Sequence, residues 1–199
     1  MSAAQTGQAV QAVWRLESAK IVGALTRLTH DLALAEDCAQ DALLAALEHW
    51  PLDGLPRNPA AWLMTTAKHR ALDRLRHGQM ATREQGALGQ DLDARRDMIA
   101  PDTLEIMLAD EADPLGDDIL KLLFIACHPG LAREAQWALT LRLVCGLTTA
   151  EIGRALRAKE ATVAQRISRA KAQLEKLDAR FELRAAAERR QRLGQVLTV

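Results

Sequence analysis

No stretch of this 199-residue chain is written as a β-strand. It has no tyrosine, only two phenylalanines and few β-branched runs, the residue types that pack well on a pleated sheet. Alanine, leucine, arginine, glutamate and glutamine dominate, and these lose little freedom in a helix. Apolar residues make up 49% of the chain, enough to bury a core, so the expected fold class is all-α. The length suits one ordinary domain or two small helical domains.

Charge separates the chain into parts. From Lys68 to Arg83 run five Lys/Arg, with one Asp, His69 and His77. From Pro101 to Leu120 run seven acids and no base, and Arg133 to Arg192 carries 14 bases against seven acids. The whole chain is neutral, with 26 bases and 26 acids. That excludes a simple basic coat for nucleic acid but not a local basic patch. Two basic blocks around an acidic connector suggest two DNA-facing domains joined by a linker.

Apolar periodicity sets the boundaries. Residues 8–77 read as three or four helices, starting with Val10, Val13, Trp14, Ile21, Leu25 and Leu28 at helical spacing. Asp31 is a plausible N-cap for the next helix. PLDGLPRNP at 51–59 is expected to be an ordered turn-rich loop, followed by a helix from about Pro59 to His77. Residues 78–116 read as a linker with a short helix at 102–111. Residues 117–177 read as four helices, at about 117–127, 131–145, 149–157 and 161–177. Residues 178–199 read as a further helix.

The last two helices of the second block form a candidate helix-turn-helix. In GLTTAEIGRAL, Thr148 and Glu151 are spaced as a capping box, and Leu147 and Ile152 as its hydrophobic staple. In KEATVAQRISRAK and beyond, Val163, Ile167, Ala170 and Leu174 share one narrow face, the side to be buried. Opposite lie Ala161, Gln165, Ser168, Arg169 and Ala172, with Thr162 and Arg166 on a flank. Small residues among Gln, Ser and Arg suit the major groove, where Gln pairs with adenine and Arg with guanine. The plainer alternative is a solvated amphipathic helix. The turn also lacks two usual parts: Arg157 stands where glycine is common, and Lys159 where Ser or Thr would cap. It must therefore be made without a left-handed glycine, or with Arg157 under some strain.

In NPAAWLMTTAKHRALDRLRH, Leu63, Met64, Ala67, Ala71 and Leu75 make the apolar face. Thr65, Thr66, His69, Asp73 and Arg76 lie opposite, flanked by Lys68, Arg70 and Arg74. Trp62 falls on the polar side, where an aromatic among bases can stack on a nucleobase. It can equally pack against a neighbouring helix or the 51–59 loop. In AEDCAQDALLAALEHW, Glu36, Asp37, Gln40, Asp41 and Leu44 line one side of a helix. An acidic stripe does not face DNA; it is plain solvent surface or a dock for a basic protein partner, and spacing alone favours solvent.

Taken in order, these segments resemble the bacterial sigma factors of the extracytoplasmic-function class. AEDCAQDALLAALEHW resembles the region that docks on the polymerase β′ coiled coil, with Asp37, Gln40, Asp41 and Leu43 on its pattern. AAWLMTTAKHRALDRLRH resembles the following helix, with His69 where asparagine is more usual. GLTTAEIGRALRAKEATVAQRISRAKAQL resembles the region 4 helix-turn-helix. The wording DDILKLLFIACHPGLAREAQWALTLRLVCGLTTAEI resembles the branch that carries a tetratricopeptide-like C-terminal extension, of which 178–199 would be the start.

The resemblance implies region 2 at 8–77, an acidic linker at 78–116 and region 4 at 117–177. It implies a chain that binds core RNA polymerase, through the β′ coiled coil and the β flap, and directs initiation at promoter DNA. Asp37, Gln40, Asp41 and Leu44 would dock polymerase. Arg57, Asn58 and Trp62 would hold the −10 element, where a flipped base enters a pocket of the loop, and Lys68, His69, Arg70, Arg74 and Arg76 would grip the strand there. Thr162, Gln165, Arg166, Ser168 and Arg169 would read the −35 element. Polymerase supplies most of the DNA contact in such a complex, so zero net charge is tolerable. An anti-sigma factor or an intramolecular extension is the implied regulator. The alternative is a stand-alone dimeric helix-turn-helix regulator on an operator, and a third reading is a helical adaptor without DNA contact.

Other classes find little support. No nucleophile–base set, Gly-rich phosphate loop or paired acids are evident, so no enzyme and no cofactor are expected. His30, His49, His69, His77 and His128 lack metal-ligand spacing, and Cys38, Cys127 and Cys145 are expected to be reduced, buried thiols. No run approaches the roughly 18 apolar residues of a membrane span, and MSAAQTGQAVQAVW is too polar for a secretory signal. A cytoplasmic protein with no membrane partner is expected.

Overall fold

The computed structural model describes residues 3–85 and 115–177, with side chains over 6–78 and 118–177. Every regular element among them is an α-helix. Three form one cluster: α1 (Ala3–Thr29), α2 (Leu32–Asp53) and α3 (Pro59–Gln85). Four form the other: α4 (Leu115–Ala126), α5 (Arg133–Leu143), α6 (Thr149–Ala155) and α7 (Glu160–Lys176).

The first cluster is built around an alanine-rich helix. Ala35, Ala39, Ala42 and Ala46 of α2 are buried with Cys38 and Trp50, and such small side chains let α1 and α3 approach closely. The neighbours supply the bulk: Val10, Ile21, Val22 and Leu25 from α1, and Leu63, Ala67 and Ala71 from α3. Asp31 starts α2 as expected, its carboxylate accepting from the Ala33 and Leu34 N–H groups at 2.8 and 3.0 Å. The apolar stripe of α3 is wider than the wheel suggested. Leu72 is buried, whereas Met64 and Leu75 are only half-buried. Leu72 lies between that stripe and Trp62, and Trp62 is itself seated edge-on against Trp50.

The turn-rich loop is shorter than 51–59. Helix α2 runs through Pro51 to Asp53, although Pro51 has no N–H to donate to the ladder. Gly54, at φ 89°, takes the chain out of the helix while its N–H donates to the Trp50 carbonyl at 3.1 Å. Asn58 then caps α3, its Oδ1 accepting from Ala61 N–H at 3.1 Å, with Pro59 as the first helical residue. Helix α3 continues past His77 to Gln85, so the expected linker begins as helix. The expected short helix at 102–111 and the tail 178–199 lie outside the described residues.

The second cluster has the four helices expected. Val163, Ile167, Ala170 and Leu174 of α7 are its buried face, closed over Leu139, Leu143 and Ile152. The Thr148–Glu151 capping box is present in both directions. Arg157 sits at φ 50°, the left-handed conformation a non-glycine residue adopts at a cost. Lys159 gives no side-chain cap. What makes the turn possible is Gly153, where a Cβ would lie 2.8 Å from the Ala158 carbonyl oxygen. The glycine is needed for the return of the chain over α6, not in the turn itself. Glu160 ties the start of α7 to α6 by accepting from Thr149 Oγ1 at 2.7 Å.

The two clusters also pack on one another. Helix α1 lies against α4 and α5, and one continuous core joins residues from both clusters. Two glycines allow the approach. A Cβ on Gly23, in mid-α1, would lie 3.0 Å from Asp118 Cβ. Gly146, at φ 63°, faces Ser18, whose Oγ would lie 2.6 Å from a Cβ there. Ion pairs cross the same boundary: Arg27 to the buried Asp118 at 3.2 Å, and Arg15 to Glu151.

Candidate nucleic-acid interface

Helix α7 presents the polar face drawn from its sequence. Ala161, Ala164, Gln165, Ser168, Arg169 and Ala172 are exposed, with Thr162 and Arg166 half-buried on the flank. The buried stripe fixes the rotation of the helix, and the capped α6 with the Gly153 crossing fixes its position. A face of small residues with Gln165 and Arg169 projecting is therefore held on a rigid support. Glu151 adds charge control at the support: hydrogen bonds from the Thr148 backbone and hydroxyl, with Arg15 nearby, hold its carboxyl below the usual range.

Helix α3 and the loop before it form the second candidate surface. Arg57, Asn58, His69, Arg70, Arg74 and Arg76 are exposed and Lys68 is half-buried. Several members are already engaged, Arg76 with Asp73 at 3.7 Å among them. Asn58 uses its side-chain oxygen as the α3 cap, which leaves its amide NH2 as the group free of that bond. Trp62 is half-buried, its ring centroid 5.5 Å from Trp50 in a T-shaped pair and 6.5 Å from His49. Trp62 thus packs against the neighbouring helix α2 while staying partly exposed.

The acidic stripe of α2 divides in two. Asp37 and Asp41 turn towards α3, where Arg74 pairs with Asp41 at 2.6 Å and with Asp37 at 3.7 Å. Arg74, expected among the DNA-gripping cations, is brought by the fold to two acids expected to dock polymerase. Gln40 is exposed at a cleft between the clusters, and Leu44 is 57% exposed. Glu36 behaves differently: it is buried, ion-paired with Lys171 of α7, and has Arg142 of α5 at 4.0 Å. Sequence spacing put Glu36 on a solvent stripe, because a helical wheel of α2 contains no information about α5 and α7. Gly23 inside α1 marks the crossing of α4, and α2 carries no comparable sign at Glu36.

The cysteines are not all alike. Cys38 and Cys127 are buried, and burial pushes the Cys38 thiol up, keeping it protonated and unreactive. Cys145 is exposed, against expectation; it lies in the turn leading to Gly146, outside the periodic core. Among the described residues no three His, Cys, Asp or Glu gather as metal ligands, and no helix is long and apolar enough to cross a membrane.

Comparison with known proteins bears on these surfaces together. Residues 14–80 match the family model Sigma-70 region 2, and residues 121–174 match Sigma-70, region 4. An uncharacterised protein of Rhizobium meliloti (strain 1021) is 40% identical over 181 residues, covering 89% of this chain and 41% of that protein. The chain thus spans about two fifths of that relative's length. The ECF RNA polymerase sigma factor SigK of Mycobacterium ulcerans (strain Agy99) is 26% identical over 74% of each chain. SigK of Mycobacterium sp. (strain KMS) is 27% identical, over 80% of this chain and 77% of its own. With both region models matched in order over more than half of its length, the chain belongs to the sigma-70 family.

Proposed function

We propose that the chain docks core RNA polymerase through α2 and directs initiation at promoters whose −10 and −35 elements it reads with two separate surfaces. It acts by binding, not by catalysis. The observation that carries this reading is the exposed face of α7, where Gln165, Ser168 and Arg169 stand among alanines on a helix whose other side is fully packed. In this reading Gln165 and Arg169 read −35 base edges, and Thr162, Ser168 and Arg166 position the helix on the backbone. Arg57, the Asn58 amide and the rim of Trp62 hold a −10 base. Lys68, His69, Arg70 and Arg76 meet the phosphates.

Asp37, Gln40, Asp41 and Leu44 meet the β′ coiled coil, and the region 4 helices meet the β flap. Arg74 serves here as a positioning residue, because its guanidinium holds the Asp41 and Asp37 carboxylates. A protein in this role works in the cytoplasm with the chromosome. The wording of residues 117–152 and the greater length of the Rhizobium relative support placing the chain in the branch with a tetratricopeptide-like extension, with that extension or an anti-sigma factor as regulator.

The test is transcription from a genomic fragment library by core polymerase with and without the chain. The expected result is a set of start sites that appear only with the chain and share two upstream elements. Identical transcripts in both reactions contradict the proposal.

A further inference from the structure

Within its own cluster, helix α7 is seated by contacts of two kinds. Val163, Ile167, Ala170 and Leu174 bury one face. Apolar burial has no direction, so this stripe fixes the rotation of the helix about its axis and determines its tilt only weakly. Direction comes from a side-chain hydrogen bond near each end. Towards the C-terminus, Gln173 Nε2 donates to the Gly130 carbonyl at 2.5 Å. At the N-terminus, Glu160 Oε1 accepts from Oγ1 of Thr149, the first residue of α6, at 2.7 Å.

The turn before α7 supplies few other restraints. Lys159 gives no side-chain cap to the first turn, and Arg157 is held at φ 50°, a conformation that glycine adopts more readily. The Ala158 N–H does donate to the Gly153 carbonyl at 2.9 Å, but that bond closes the turn ahead of the helix. The start of α6, by contrast, is well fixed by the Thr148–Glu151 capping box. Thr149 is the next residue, and its bond to Glu160 carries that fixed point to α7, 11 residues on.

Small movements at this end have large effects on base reading. From Gln173 back to Glu160 the helix is about 20 Å long at about 1.5 Å per residue. A tilt of about 3° about the Gln173 end displaces the first turn by about 1 Å. Hydrogen-bond lengths span only about 0.5 Å, from about 2.7 to 3.2 Å. In a helix-turn-helix, the N-terminal part of the second helix meets the base edges, and Gln165 projects from that part of α7. The same bond draws the Glu160 carboxylate onto α6. Released at the mouth of the helix, that charge would repel a DNA phosphate.

We propose that Thr149 and Glu160 are positioning residues: their clasp sets the entry angle of α7 and, with it, the discrimination between −35 sequences. This inference rests on the sigma-factor reading above. Neither residue contacts a base in this role; both act through Gln165 and Arg169.

The test compares initiation by core polymerase, loaded with full-length wild-type or variant chain, on a selected promoter and on copies with single-base changes in the −35 element. The readout is the ratio of the two rates, measured beside thermal unfolding of the free chain. Thr149→Val keeps the shape and removes the hydroxyl, and Glu160→Ala removes the acceptor. Each should lower the ratio by about 2- to 10-fold, the range one hydrogen bond spans, and the double variant should lower it no further than either alone. Thr149→Ser and Glu160→Gln keep donor and acceptor and should retain the wild-type ratio. A ratio unchanged in Thr149→Val overturns the clasp, including when the melting temperature or the activity on all promoters falls, which is what a merely structural residue would give. An equal fall in Glu160→Gln assigns the effect to charge and overturns it as well. A wild-type chain that supports initiation at no promoter removes the sigma reading and the clasp with it. A wild-type chain that discriminates, matched by Thr149→Val, removes the clasp alone.

Discussion

Arg157 and Glu151 show how single residues set the geometry of helix α7. A left-handed residue that is not glycine destabilises the turn by about 1–2 kcal/mol, and Lys159 adds no cap. Both departures were visible in the sequence, because they concern local chemistry at known spacing. The compensation was not: Gly153 matters through its distance to Ala158, which no local rule contains. Glu151 is the residue whose charge most directly supports α6. Its folded pKa is depressed, mainly by the bond from the Thr148 N–H. The stabilisation is therefore complete above the ordinary carboxylate pKa of about 4.3 and is lost as pH falls through the lower folded value. We expect Glu151→Gln to remove that acid limb, as read by chemical denaturation from pH 3 to 7. An acid limb of equal slope in Glu151→Gln would show that this carboxylate does not set it.

Elements were legible wherever one helix decides its own fate. The four helices of the second cluster, the Asp31 start of α2 and the buried stripe of α7 all follow from caps and from 3.6-residue periodicity. Errors arose where a second element intervenes. Leu72 is buried beside the expected stripe of α3, and the loop lost 51–53 to the end of α2, which includes Pro51. The exposed face of α7 leads to a direct expectation. Gln165→Ala with Arg169→Ala leaves the fold intact, since both side chains are exposed. It should reduce discrimination at two base positions by on the order of 10- to 100-fold. Selection of preferred sequences by polymerase loaded with wild-type or variant chain reads this out, and an unchanged −35 preference would relocate the readout face.

At the scale of the molecule, composition foretold two helical units but not their contact. The acidic stripe looked like a surface, and part of it is. Asp37 and Asp41 are turned towards Arg74, while Glu36 is buried by the neighbouring cluster. Such a contact between remote segments is written in Gly23, Gly146 and matched charges, each of which is unremarkable until its partner is known. The consequence is a chain in which Gln40 of α2 and Ser168 of α7 border one cleft. A stand-alone dimeric regulator would need only α7 and would leave α3 and the docking acids without a task.

The most direct measurement is to place a photo-crosslinker at exposed Arg57 and, separately, at exposed Arg169, then map each on a promoter selected with core polymerase. The account predicts two crosslink clusters on the same promoter, about 25 base pairs apart, both dependent on polymerase. Crosslinks from both positions at a single site, or an Arg169 crosslink on a palindrome without polymerase and none from Arg57, would contradict it.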